Sequence, residues 1–158
     1  MSKFSCLGVA VFVVAVGLAA QADPPAKFQM SKEEKQLFEL TNKERKKKDL
    51  PPLKASPLLF KVARAHSANM AKQKKMDHVL DGKKPNQRVK EAGYRYLSTG
   101  ENIAYGTLTQ EEIMEKWMGS KPHRANILNK NFTEIGLGIV PDKDGVPYYT
   151  QVFGKPFR

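Results

Sequence analysis

The chain predicts an α+β domain, and three observations carry that reading. Helix-start signals and apolar stripes fill most of its first two thirds, residues 133–140 alternate strictly, and a turn then leads into a second strand-like run. The expected architecture is a set of helices covering an antiparallel sheet. With 158 residues, 41% of them hydrophobic and 27% charged, the chain fits one globular domain and excludes a disordered or fibrous polymer. No glycine-rich phosphate loop is present, which argues against nucleotide chemistry.

Residues 1–22, MSKFSCLGVAVFVVAVGLAAQA, place Lys3 ahead of an apolar run from Cys6 to Ala20 and the small-x-small triplet Ala20-Gln21-Ala22. This reads as a secretory signal cleaved after Ala22. The run is shorter than the ~20 residues that span a bilayer, which argues against a retained anchor. The signal holds the chain's one cysteine, so Asp23–Arg158 can form neither a disulfide nor a disulfide-linked partnership. Residues 23–30, DPPAKFQM, read as a linker, and 31–158 as the domain.

Within the domain, Ser31 and Glu34 fit a capping box that opens a helix carrying Leu37, Leu40 and Thr41, stopping before Pro51-Pro52. Ser56-Pro57 opens a second helix with Leu59, Val62, Ala63, His66 and Met70 on one face. Its alanines at 63, 65, 68 and 71 suit close approach by neighbouring backbone. A short helix over 86–92 is closed by Gly93, and residues 94–108 show neither period and read as an irregular loop. Thr109 and Glu112 form another capping box, opening a helix with Ile113, Met114, Trp117 and Met118 that ends near Ser120, ahead of Pro122. Ile135, Leu137 and Ile139 then alternate with Glu134, Gly136 and Gly138, and the turn 141–145 leads into the strand 146–153. The glycines leave one strand face bare, for a helix or a ligand to lie against.

The net charge is +11, with lysines clustered at 46–48, at 72, 74 and 75, and at 83–84. Aromatic residues are not interleaved with them, so base stacking and nucleic-acid binding are not expected. The clusters read as solvated faces or as an adhesive surface for polyanions, the latter weakened by added salt.

The chain has three histidines, His66, His78 and His123, and two acidic residues of interest near strand signals, Glu101 and Glu134. None is spaced as a helical metal pair. His66, mid-stripe on the second helix, reads as a core histidine satisfied by one hydrogen bond, and it is left out of the site. His78 stands at a polar loop start, His123 in a tight turn, and Glu101 in a loop where it either binds ligand or holds the loop to the sheet.

In order, the chain carries Asp77-His78, Gly100-Glu101-Asn102-Ile103-Ala104, Trp117-Met118-Gly119-Ser120 with His123-Arg124-x-Asn126-Ile127-Leu128, Phe132 to Gly138, and Tyr148-Tyr149-Thr150-Gln151-Val152-Phe153. From about Ser31 to Phe153 this resembles the CAP superfamily (cysteine-rich secretory proteins, antigen 5, pathogenesis-related 1) in its disulfide-free bacterial form. The resemblance implies a three-layer α-β-α sandwich and a central groove lined, in eukaryotic members, by two histidines and two glutamates. His78 matches the first groove histidine and Glu101 the glutamate of the G-E-N motif. Ser120 stands where many relatives have the second glutamate, and Tyr148 where they have the second histidine. His123 and Glu134 are the candidates to fill that space.

The resemblance therefore implies a ligand-binding groove of His78, Glu101, His123, Ser120, Glu134 and Tyr148. His78 and His123 are candidate ligands for a divalent metal such as zinc, although no cofactor is required. The favoured function is a secreted, non-enzymatic CAP protein of the extracellular space or cell envelope, binding a lipid or wall polymer. One alternative is a hydrolase using His78, Glu101 and His123. A Ser120 nucleophile has no G-x-S-x-G context to support it. The other alternative is a basic adhesion protein for anionic lipid or wall surfaces.

Overall fold

The computed structural model describes residues 28–157. The expected signal, 1–22, and most of the linker lie outside the described residues. Packing is already present before Ser31: the Phe28 ring meets Phe60 edge-on at 4.9 Å, and Met30 rests against the same core.

Helix α1 (Lys32–Lys46) starts at the Ser31 box, where the Ser31 amide donates to Glu34 Oε2 at 2.9 Å and the Glu34 amide donates to Ser31 Oγ at 3.1 Å. A two-residue strand, β1 (Lys54–Ala55), precedes α2 (Pro57–Gln73). Pro57 takes the first helical position as expected, but the Ser56 hydroxyl makes no capping bond. Then follow α3 (Pro85–Glu91), β2 (Tyr96–Tyr105), α4 (Gln110–Gly119), α5 (Lys121–Ile127), β3 (Glu134–Pro141) and β4 (Pro147–Pro156).

The sheet order is β1-β3-β4-β2, antiparallel except that β1 runs parallel to β3. The expected antiparallel sheet is thus mixed at one edge, because the short β1 enters beside β3 on its way into α2. The expected loop 94–108 is largely the ten-residue strand β2. Its alternation is hidden because Glu101 and Asn102 are polar, buried and on opposite faces of the strand. The segment at His123, expected as a tight turn, is the helix α5, with Pro122 tolerated in its first turn.

Three layers result. On one face, α2 lies so close to the sheet that a Cβ at Gly136 would run into the backbone of Leu59 and Phe60, and one at Gly138 into that of Ala63. The bare strand face is therefore covered by a helix. On the other face, Leu37 of α1, Trp117 of α4 and Ile127 of α5 pack on Ile135, Leu137, Tyr149 and Phe153.

Two polar devices fasten α5 to the second face. Arg45, only 1% exposed, meets no carboxylate among the described residues; it donates to the carbonyls of Ile127 and Asn129 at 2.9 Å each, of Pro51 at 3.0 Å and of Phe132 at 3.3 Å. Burial pulls its guanidinium below the usual arginine range. Beside it runs a chain of buried amides. Thr41 accepts from Gln151 at 2.8 Å, Gln151 accepts from Asn102 at 3.1 Å, and Asn102 both donates to the His123 carbonyl at 3.1 Å and accepts from Asn126 at 2.8 Å. Each member leaves a partner unpaired if removed, so the chain fixes which turn of α5 faces β2.

Candidate functional site

The site is built on β2, the edge strand. Successive side chains alternate across it, so Glu101, Ile103 and Tyr105 face α2 while Asn102 faces α5. Glu101 is the centre of the first group. Its Oε1 accepts from His78 Nδ1 at 2.8 Å and its Oε2 accepts from Arg88 Nη2 at 2.7 Å. Its side chain is 3% exposed and that of Arg88 12%, so this ion pair is largely out of water.

Arg88 does more than neutralise the acid. Its Nη1 donates to the carbonyls of His78 at 2.9 Å and Lys83 at 2.8 Å, so a side chain of α3 holds both ends of the 78–83 loop. His78 is thereby positioned at its ring and at its backbone. Because a carboxylate only accepts, Nδ1 is the donor. The His78 side chain is 46% exposed, which makes it the part of the cluster a ligand can reach.

His66 belongs to this cluster, contrary to its reading as a satisfied core residue. Its side chain is wholly buried with Nε2 3.7 Å from Glu101 Oε1, and neither ring nitrogen has a hydrogen-bond partner among the described residues. Burial holds the ring below the ordinary histidine value of 6.5; Glu101 and the Asp77 backbone oppose that shift, while Arg88 and His78 reinforce it. The signal that could have found it is a titratable ring on an otherwise apolar helix face. That face needs a counterpart in the sheet, and Glu101 is it.

His123 approaches the same edge from the opposite layer. It is half-buried on α5, and burial, together with the positive charge available at His78, lowers its pKa from the ordinary histidine value. The structure thus brings His78, Glu101 and His123 to one strand edge, two in direct contact and the third within electrostatic reach.

The other expected groove residues lie elsewhere or act differently. Ser120 joins α4 to α5: its amide donates to the Lys116 and Trp117 carbonyls at 3.2 Å and its carbonyl accepts from Arg124 at 2.9 Å. Glu134 accepts from the Tyr94 hydroxyl at 2.9 Å, across the sheet from Glu101. That bond and burial, the larger effect, push the Tyr94 phenol above its usual range. Tyr148 is buried with Met70, Leu80 and Ile103, and its ring stacks on exposed Tyr105 at 5.7 Å.

These donors do not fit a zinc ion. Both Glu101 oxygens are engaged, one by a guanidinium that repels a cation, so His78 and His123 find no carboxylate to complete a set. Among the described residues, no three His, Cys, Asp or Glu side chains are grouped to hold a metal.

Comparison with known proteins agrees with this architecture. The chain is 44% identical over 123 residues to the uncharacterized protein YkwD of Bacillus subtilis, covering 77% of this chain but 47% of that protein, so it spans about half the relative's length. An outer surface protein from Borrelia burgdorferi has the same fold with a TM-score of 0.77 at 24% identity, over 82% of this chain and 97% of that one. An extracellular protein containing a SCP domain from Bacillus anthracis gives a TM-score of 0.70 at 30% identity, over 78% of this chain and 40% of that one. The family model for cysteine-rich secretory proteins matches residues 38–153, which takes in β2, α5 and the His78–Glu101 contact, and the chain belongs to that family, CAP.

Proposed function

We propose that this chain is an exported CAP domain that binds a ligand, and does not transform it, in the groove between His78 and His123. The observation that carries this reading is the engagement of both Glu101 oxygens by side chains. With one oxygen on His78, the other on Arg88 and the side chain 3% exposed, the carboxylate orients an imidazole and is withdrawn from solvent. Ser120 is a helix junction, without a hydrogen bond to either histidine that would activate it. The half-exposed ring of His78 suits a polar group such as a hydroxyl, and the net charge of +11 suits anionic groups. A cell-envelope polymer bearing both is the ligand class, with the apolar run from Cys6 to Ala20 and the extracellular relative supporting export.

The test is cosedimentation of the protein with purified cell walls and, separately, with anionic lipid vesicles, comparing the wild type with His78→Ala and His123→Ala. Wall binding at least about tenfold weaker in both variants is expected, from loss of about 1.4 kcal/mol of contact. Equal retention by all three proteins would refute the groove reading and leave charge alone as the cause.

The His78–Glu101 contact also favours a second reading. A carboxylate bonded to Nδ1 is what a histidine general base requires. Hydrolysis of peptide, ester or glycan substrates would then follow a histidine titration and disappear in Glu101→Gln while the fold persists.

A further inference from the structure

Among the described residues, three large apolar side chains are more than half exposed, Leu97 at 59%, Tyr105 at 55% and Phe157 at 54%. Two of them share one hollow: Leu97 and Phe157 border it together with Thr133, Lys155 and Pro156. Single exposed apolar residues are ordinary, whereas a pair on one patch marks a surface that something covers. Both are held outward by the backbone. The register steps from Tyr96 opposite Pro156 to Ser98 opposite Lys155, so Leu97 is the extra residue of a β-bulge and has no partner on β4. The Phe157 amide donates to the Arg95 carbonyl at 2.9 Å, which extends the ladder beyond β4, and the Arg95 guanidinium lies 5.3 Å from the centre of the Phe157 ring. The charges around this pair have one sign. Lys155 borders the first hollow, and Lys90 and Arg95 border a second one that Phe157 also lines. Among the described residues no aspartate or glutamate lines either hollow. Glu91, next to Lys90 in the chain, is paired with Lys83 at 2.7 Å, and Glu134 Oε2 accepts from Tyr94 at 2.9 Å.

We propose that this patch is a docking surface for an anionic lipid bilayer, into which Leu97 and Phe157 insert while Lys90, Arg95 and Lys155 stay with the lipid phosphates. Lysine and arginine lay their hydrocarbon stems along apolar surface and keep their charged ends in water, which is the division a headgroup layer offers. An anionic leaflet also attracts each basic side chain held near it. A protein partner is the poorer fit, because interface cores are depleted in lysine. The patch lies at the start of β2 and the end of β4, ahead of Glu101 on the same strand. It goes beyond the envelope ligand proposed for the groove, and no groove residue takes part in it.

The experiment is flotation of the form that begins at Asp23, which retains every described residue, with vesicles of phosphatidylglycerol and phosphatidylcholine in equal amounts and with vesicles of phosphatidylcholine alone. Leu97→Asn combined with Phe157→Asn keeps the net charge and should bind the mixed vesicles at least about tenfold more weakly. Lys46→Gln combined with Lys48→Gln removes exposed charge outside the patch and should cost about threefold at most. His78→Ala should leave vesicle binding unchanged. The chain's one tryptophan, Trp117, is 1% exposed, so the indole added by Phe157→Trp can be followed directly. Its emission should shift to the blue on the mixed vesicles and be quenched by brominated acyl chains. The proposal is overturned by equal binding of the wild type and the Leu97/Phe157 variant, by a like loss in the Lys46/Lys48 variant, by equal binding to phosphatidylcholine alone, or by an unquenched indole. Loss of binding in His78→Ala would place the lipid in the groove, and self-association that disappears in the Leu97/Phe157 variant would assign the patch to a second copy of the chain; either overturns it equally.

Discussion

Arg88→Met, made alone and in a Glu101→Gln background, measures whether the buried ion pair is the element that fixes the site. The single substitution removes bonds to Glu101 Oε2, the His78 carbonyl and the Lys83 carbonyl, and strands a carboxylate whose side chain is 3% exposed. Breaking one side of such a buried pair costs about 3–5 kcal/mol. In the glutamine background no charge is stranded, so the same change forfeits chiefly the two carbonyl bonds. The coupling between the sites should therefore be about 2 kcal/mol, from the worth of hydrogen bonds to charged groups. Urea denaturation of the four proteins, with slopes that stay equal, gives each term. Additivity within ~0.5 kcal/mol, the usual result for independent sites, would refute the argument that Arg88 and Glu101 act as one unit.

Acid should weaken the fold through His66 and His123, whose folded pKa values are lowered chiefly by burial. Since the unfolded chain binds those protons first, stability is fully present above the unfolded value of 6.5 and falls as pH drops below it, by up to about 1.4 kcal/mol per pH unit and group. His66→Phe should flatten that slope in denaturation series across pH, and an unchanged slope would mean the ring is not held neutral. Gly138→Ala drives a methyl group into the Ala63 backbone and should cost at least about 3 kcal/mol. A thermal melt within a degree or two of the wild type would show that α2 can move off the sheet.

Sequence legibility followed the reach of the interactions. The Ser31 and Thr109 boxes span four residues each and are readable, since both partners stand in one short motif. The β3–β4 hairpin was equally plain, because its apolar alternation and its turn, with Gly145 at a φ of 82°, are local. β2 was not readable: a strand whose neighbouring residues Glu101 and Asn102 are both buried, each bonded to a different layer, loses the contrast that periodicity depends on. α5 was hidden behind Pro122, and β1 is too short to carry a pattern. Within the site, the motif resemblance locates His78 and Glu101, but Arg88 carries no signature of its own, because its partner lies on a strand whose periodicity reads as a loop. Sheet register, which puts Glu101 opposite Val152 under α2, is what unites them with His66.

The two walls of the groove are secured by different chemistry. Arg45 and the Asn102 chain hold the α5 wall through peptide carbonyls and amides, acceptors with no proton to gain over the whole range in which proteins are handled. The opposite wall depends on a single carboxylate, Glu101, which both the His78 ring and Arg88 share. Loss of that one carboxylate should thus relax the jaw that presents His78 while its counterpart bearing His123 keeps its place, so that the groove opens from one side only.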